Sequence, residues 1–365
     1  LSNPRRADAR RLARAADELI MRPVRKELGD TRRLFLSPDG ALNLIPFGAL
    51  VDERERHLVE DYSITYLTSG RDLLRLSAKA ESRQGALVLA DPTFDLGAPR
   101  ADAAQNTNAP AAQGRRSLDF AGALFSRLPG TEGEARALGA TVPGVKVLTG
   151  AQASEGALKA VSGPSVLHVA THGFFLPDRP RADVALTRGT VAGDAAPAGE
   201  NPLLRSGLAL AGANTGRAAD GEDGVLTALE AAGLDLWGTK LVVLSACETG
   251  VGQVENGEGV YGLRRALVLA GAESQVMSLW QVSDDATRDL MIDYYKRLQA
   301  GEGRTEALRQ VQLSMLRSGA REAAGAQRGL AGQAGQQPPP TAGDRSHPFY
   351  WASFIQSGEW RGLKL

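Results

Sequence analysis

The sequence predicts an α/β fold in which helices flank both faces of a mostly parallel sheet. Two observations support this prediction. Short, uniformly apolar segments, which are typical of strands buried on both faces, recur along the chain at 86–90, 166–170 and 241–244. Segments with helical periodicity, such as 258–270 and 284–299, separate or follow them, and this alternation is typical of α/β layering.

The N-terminal third carries its own pattern. Apolar residues at helical spacing predict a helix over 7–29, with Pro23 kinking its end. Two short apolar runs, 34–36 and 42–45, flank Pro38-Asp39-Gly40 and predict a β-hairpin. A strand over 62–67 and a short helix over 72–78 follow. This part is therefore expected to be a smaller, strand-rich half.

The rest of the chain alternates predicted elements with loops. Thr131 with Glu134, and Thr227 with Glu230, have the spacing of helix capping boxes. Three segments rich in small and polar residues are expected to be exposed loops: 96–117, 177–201 and 318–346. Further strands are predicted at 145–148, 208–211, 274–279 and 349–356, and further helices from Ser154 and over 305–317.

Composition excludes several classes of protein. The 365 residues carry 42 basic and 42 acidic side chains, so nothing suggests a nucleic-acid surface or a polybasic membrane patch. Apolar runs are too short to span a bilayer, and the first residues lack the apolar core of a signal peptide. One cysteine excludes an internal disulfide and a cysteine-rich metal site, which favours a reducing, cytoplasmic setting. Because the first residue is not Met, we expect a fragment or a processed product.

Two strand ends carry residues with chemical potential. The predicted strand 166–170 runs into Thr171-His172-Gly173, and the strand 241–244 delivers Ser245-Ala246-Cys247, the one cysteine of the chain. Sites in open α/β sheets form at the carboxyl ends of strands, so this His and this Cys can face each other. A thiolate is a nucleophile, and an imidazole can accept its proton and later protonate a leaving amine. The backbone N–H groups of Gly173 and Cys247 would be the oxyanion donors.

Five motifs, in order, resemble CHAT domains, which are caspase-like cysteine peptidases of the group that includes separases and metacaspases. The motifs are THGFF, SACETG, GEGVYGLRRALVLAGA, SLWQVSDDATRDLM and HPFYWASFIQSGEW. The upstream segments LSPDGALNLIPFGAL and YLTSG are similar to the same family, so the resemblance extends from about Arg32 to the end.

The resemblance implies a caspase-like sandwich with His172 as base and Cys247 as nucleophile. It also matches Asp284 to the aspartate that lines the primary specificity pocket of separases, which would favour a basic P1 residue. Asp284 also suits a helix N-cap, and Glu248 could orient His172 or be solvated. The implied partners are a protein substrate and a regulatory partner or fused tetratricopeptide-repeat region. No cofactor and no direct nucleic-acid or membrane contact is expected.

The same resemblance suggests three parts. Residues 1–30 would be a connector helix. Residues 31–120 would be the N-terminal half of the domain, pseudo-caspase-like and ending in a flexible linker. Residues 121–365 would be the catalytic half, with a flexible loop over 318–346.

Other interpretations compete with the dyad. Cysteine is often a small buried hydrophobic residue, and a latent pseudoprotease that acts as an interaction module would keep the same motifs. His168 and His172 are four residues apart, but the apolar surroundings and the absence of HExxH argue against a metal pair. His168 is instead expected to pack or bond beneath the site, His57 to lie at the surface, and His347 to occupy a turn. The GxxxxGK[ST] and GxSxG patterns of nucleotide-binding loops and α/β hydrolases are absent.

Overall fold

The computed structural model describes residues 1–6, 8–96, 124–175, 201–218, 220–248, 258–280, 283–326 and 345–363. Within them, one sheet combines ten strands: β1 Arg33–Leu36, β2 Ser63–Tyr66, β3 Leu87–Pro92, β4 Lys146–Gly150, β5 Val166–Phe175, β6 Ser206–Ala209, β7 Val225–Thr227, β8 Leu241–Glu248, β9 Ser274–Ser278 and β10 Phe354–Gly358. The described helices are α1 Ala9–Leu28, α2 Leu58–Asp61, α3 Asp72–Arg75, α4 Pro129–Thr141, α5 Glu155–Lys159, α6 Ala228–Ala231, α7 Glu258–Leu269, α8 Asp284–Gln299, α9 Arg304–Ala326 and α10 Pro348–Trp351.

The sheet is mostly parallel, as predicted. Its main path runs β1-β2-β10-β9-β8-β5-β3-β4, and the short strands β6 and β7 extend from the outer part of β5. The five strands β9, β8, β5, β3 and β4 are parallel to one another. β10 runs antiparallel to β9 and parallel to β2, so the direction of the sheet reverses between β9 and β10. Strands before and after residue 121 therefore share one sheet.

Helices cover both faces of this sheet, which explains why its central strands are predominantly apolar. On β5, Val166 packs into the core formed with α4, α8 and α9, whereas Leu167 packs into the opposite core, to which α1, α6 and α7 contribute. Because neighbouring side chains point to opposite faces, both faces must be apolar for both layers to pack. The sequence pattern alone therefore predicted the layering correctly.

The predicted hairpin around Pro38-Asp39-Gly40 is wrong. β1 pairs in parallel with β2, and residues 40–44 form a 3₁₀ turn. The Asp39 side chain accepts a hydrogen bond from Gly40 N at 2.8 Å, and Gly40 has a φ of 53°. The turn residues therefore start a 3₁₀ turn, because β1 finds its partner 30 residues downstream, and turn chemistry does not specify which strand will pair.

The two predicted capping boxes have different outcomes. Thr227 and Glu230 form one at the start of α6, as expected. Thr131 and Glu134 do not, because α4 begins earlier, at Pro129, and both residues lie inside it. Proline suits the first turn of a helix because its missing N–H would have no partner there.

The C-terminal region also departs from the prediction. α9 continues to Ala326, so residues 318–326 of the expected loop are helical. The aromatic segment 349–356 is divided between α10 and β10 rather than forming one strand. Most of the predicted loops 96–117 and 177–201 lie outside the described residues. Among the residues described, no helix has the length and apolarity that crossing a bilayer requires.

Candidate active site

The two candidate residues lie side by side on the adjacent parallel strands β5 and β8. The register pairs His172 with Cys247, and Gly173 with Glu248. Neighbouring strands lie about 4.8 Å apart, so the two backbone positions are as close as a sheet allows. The sequence placed His172 just beyond a strand end, but β5 continues to Phe175 because its outer half pairs with β6, with His172 opposite Ala209.

His172 is enclosed, with only 3% of its surface exposed. Its Nε2 lies 2.6 Å from the carbonyl oxygen of Ser126, in the segment that leads into α4. The rings of Phe94 and Phe125 flank the imidazole, with centroids 5.3 and 5.6 Å away. A hydrogen bond on one edge and two aromatic contacts together fix the orientation of the ring.

These contacts define the protonation state of His172. A carbonyl oxygen can only accept, so Nε2 carries the proton that it donates to Ser126. Burial lowers the pKa of His172, and the Ser126 hydrogen bond and the charge of Asp284 only partly offset that effect. The imidazole is therefore neutral at pH 7, with a lone pair on Nδ1. This buried atom has no hydrogen-bond partner among the residues that the structure describes.

Asp284 is the first residue of α8, and its helix-capping role is wrong. The cap is Ser283, whose side chain accepts a hydrogen bond from Ala286 N. The Asp284 carboxylate instead accepts a hydrogen bond from Gly130 N, at 3.1 Å from Oδ2. A Cβ at position 130 would lie 2.1 Å from the Asp284 Cβ, so the contact requires glycine. Asp284 thus places negative charge in electrostatic range of His172.

A second polar cluster lies beneath the site, deeper in the sheet. His168 is fully buried on β5, with Nε2 3.0 Å from Glu134 Oε1 and Nδ1 3.1 Å from the Tyr295 hydroxyl. The hydroxyl of Ser245, on β8, donates to Glu134 Oε2 at 3.0 Å. Glu134 therefore ties α4 to both strands of the candidate dyad. The expectation that His168 bonds beneath the site is confirmed.

The remaining histidines are structural. His57 is 4% exposed rather than at the surface, and its Nδ1 donates to the Ala49 carbonyl at 2.9 Å. His347 precedes α10 and accepts a hydrogen bond from Phe349 N, in agreement with a turn position. Across the described ranges, no group of three or more His, Cys, Asp or Glu residues is arranged to hold a metal ion.

Sequence reasoning missed the segment that surrounds His172. Ser126, Gly130 and Glu134 were unassigned or given a different role. A backbone carbonyl leaves no trace in the sequence, so Ser126 could not have been found. The Pro129-Gly130 pair at the start of a helix was a visible signal for the helix start. The backbones of Cys247 and Glu248 are placed in β8, whereas their side chains lie outside the description.

A comparison with known families identifies one match of nearly full length. The model of the CHAT domain family matches residues 10–359. No curated protein matches the chain. The match includes every strand of the sheet, as well as positions 172, 247 and 284.

Proposed function

Because the chain belongs to the CHAT domain family, which is related to caspase-like cysteine peptidases, we propose that it is a cysteine endopeptidase acting through His172 and Cys247. One observation carries the proposal. Positions 172 and 247 are paired in register on adjacent strands, and the buried Nδ1 of His172 has no hydrogen-bond partner among the described residues, which supports its role as a proton acceptor. No other cysteine exists in the chain to compete for the role.

The geometry of His172 supports a base that later acts as an acid. Nδ1 accepts the thiol proton, and the Cys247 sulfur attacks the scissile carbonyl carbon to form a tetrahedral intermediate. The imidazolium then donates that proton to the leaving amine as the C–N bond breaks. A water molecule then gives a proton to Nδ1 and adds to the thioester carbonyl, the C–S bond breaks to release the carboxylic acid product, and the imidazolium returns the proton to the Cys247 thiolate. Ser126 O and Asp284 favour the charged imidazolium.

Gly173 and Cys247 are the proposed oxyanion donors through their backbone N–H groups. Gly173 is paired in register with Glu248, directly after the nucleophile. Each backbone oxyanion donor is worth roughly a hundredfold or more in kcat.

Asp284 is the proposed selectivity residue for a basic P1 side chain, and Glu248 is the second acidic candidate beside the cleft. Asp284 is held by Gly130 N and lies close enough to influence His172. A protein substrate, and control by a regulatory partner or a fused repeat region, complete the proposal.

The lone cysteine allows a clean experiment. A thiol-reactive peptide probe should label the intact protein once, at Cys247. The Cys247→Ala variant and the denatured wild-type protein should not be labelled at a comparable rate. Cys247→Ala should also abolish turnover of fluorogenic peptides without unfolding the domain. Unchanged turnover in Cys247→Ala would contradict the proposal. A folded wild type that neither reacts nor cleaves would instead indicate a latent protein-interaction module.

A matched pair tests the selectivity. Asp284→Asn should reduce kcat/KM for peptides with arginine at P1 by roughly tenfold or more, since one charge-assisted contact is lost. Asp285→Asn, in which the replaced side chain is 73% exposed and pairs with Arg288, should leave the preference unchanged. Equal effects of the two substitutions would remove Asp284 from the specificity pocket.

A further inference from the structure

Asn214 lies in the turn at 211–216 after β6. Its side-chain amide bonds to both the backbone N–H and the backbone carbonyl of Phe125. Phe125 N donates to Asn214 Oδ1 at 2.7 Å, and Asn214 Nδ2 donates to the Phe125 carbonyl at 2.9 Å. The same amide nitrogen donates to Asp95 Oδ1 at 2.9 Å. The amide of Asn214 thereby pairs with Phe125 as a neighbouring strand would.

The anchored residue is next to the group that orients the candidate base. The residue after Phe125 is Ser126, whose carbonyl accepts from His172 Nε2. Asn214 N also donates to the Phe94 carbonyl, at 3.1 Å. Asn214 therefore contacts the backbones of both aromatic residues whose rings flank His172.

A second anchor lies on the other side of Ser126. Arg127 makes a two-point contact with Asp91, with Nε–Oδ1 and Nη2–Oδ2 distances of 3.0 and 2.7 Å. Because 61% of the Arg127 side chain is exposed, this pair is weaker than the amide contacts of Asn214. The carbonyl of Ser126 is thus fixed from both sides, and mainly from position 214.

We propose that Asn214 is a positioning residue for His172, acting through the backbone of Phe125 and the carbonyl of Ser126. With that carbonyl in place, the imidazole keeps its proton on Nε2 and its lone pair on Nδ1. The effect on catalysis rests on the proposed function, whereas the effect on the imidazole does not.

The tautomer of His172 is a direct readout that a purely stabilising residue would leave unchanged. In protein labelled with ¹⁵N-histidine, long-range ¹H–¹⁵N spectra distinguish Nε2–H from Nδ1–H. The chain has four histidines, and the His172 signals are assigned by their loss in His172→Gln. Wild type should show the Nε2–H form at pH 7.5.

Two variants of Asn214 test the proposal. Asn214→Asp keeps the size and the acceptor for Phe125 N but loses the Nδ2 donor, and Asn214→Ala loses every side-chain contact. Both should give a mixture of His172 tautomers and lower kcat roughly ten- to a hundredfold with little change in KM, as expected for a misplaced base. Asn3→Asp, at an exposed position near the N-terminus, is the control and should change neither.

The outcomes separate this inference from the proposed function. A pure Nε2–H tautomer and full activity in folded Asn214 variants would overturn the role of Asn214 even if Cys247 is the nucleophile. A tautomer change in a protein without Cys247-dependent cleavage would support the role of Asn214 and refute the peptidase. If Asn214→Ala does not fold, Asn214→Asp decides by the same spectra.

Discussion

The two histidines of β5 lie four residues apart on the same strand, yet their surroundings differ. Both nitrogens of His168 have partners, Glu134 and Tyr295, within a fully buried cluster. His172 has a partner on Nε2, whereas Nδ1 has none among the described residues. Buried polar atoms are usually paired, so an unpaired one calls for a functional explanation.

This contrast teaches how the strand divides its tasks. The cluster around His168 joins α4, β5, β8 and α8, so it supports the part of the sheet that carries the site. The surroundings of His172 orient its ring, and its Nδ1 has no partner in the part of the chain that the structure describes. The first arrangement favours stability, and the second suits the base that we propose His172 to be.

The largest effect is expected for a substitution of His172, and it separates a catalytic role from a stabilising one. His172→Ala should lower kcat by about 10²–10⁴-fold, the usual contribution of a general base. Its unfolding free energy should change by less than that of Glu134→Ala, because His172 loses one described hydrogen bond, to Ser126 O, whereas Glu134 is the acceptor for two buried side chains. Peptidase assays and urea denaturation measure the two quantities. A large loss of stability with normal turnover would reverse the assignment.

Glu134→Ala should disrupt the buried polar cluster around His168. The substitution leaves the buried donors of His168 and Ser245 without an acceptor, so the unfolding free energy should fall by about 3 kcal/mol. Glu132→Ala is the control on the same helix. Because that side chain is 47% exposed in its pairs with Arg127 and Arg136, its removal should cost less than about 1 kcal/mol. Equal losses in urea denaturation would mean that the cluster adds no stability.

Gly130→Ala should disturb the contact between Gly130 and Asp284, near His172, without affecting the cluster around His168. The new Cβ would lie 2.1 Å from the Asp284 Cβ, so either α4 or the start of α8 must move, at a cost of about 2 kcal/mol. Gly133→Ala, also in α4, meets nothing closer than Arg288 Cδ at 3.7 Å and should stabilise the helix by up to about 1 kcal/mol. Thermal unfolding compares them, and two substitutions of the same sign would contradict the close Asp284 contact.

The smallest effect is expected for His57, a buried histidine outside the surroundings of both His168 and His172. Burial lowers its pKa, only partly offset by the hydrogen bond to Ala49 O. As pH falls through 6.5, His57 therefore takes up a proton more readily in the unfolded chain than in the folded chain. The free energy of unfolding decreases as a result. The stability advantage of wild type over His57→Gln should shrink between pH 7.5 and 5.5. A constant difference in urea denaturation over this range would show that burial does not perturb the ring.

The sequence by itself determined the layers and the candidate dyad. Apolar segments such as 241–244 predicted strands buried on both faces, and the paired strands place positions 172 and 247 in register. These features depend on local pattern and on a general property of parallel sheets, so they are visible in the residues. α8, predicted over 284–299, begins and ends where the pattern indicated.

Only the tertiary structure decided what each polar side chain does. Glu134 had the spacing of a helix cap, but a buried histidine and a serine on two strands use its carboxylate instead. Ser126 acts through its backbone carbonyl, and Asn214 acts through hydrogen bonds from its side chain to the backbone of Phe125. No residue pattern specifies either contact. Their partners lie 34 to 111 residues away in the chain, and such contacts form only when the packed helices and strands bring them together. The sequence therefore proposed the His172–Cys247 pair, whereas folding determined which contacts surround His172.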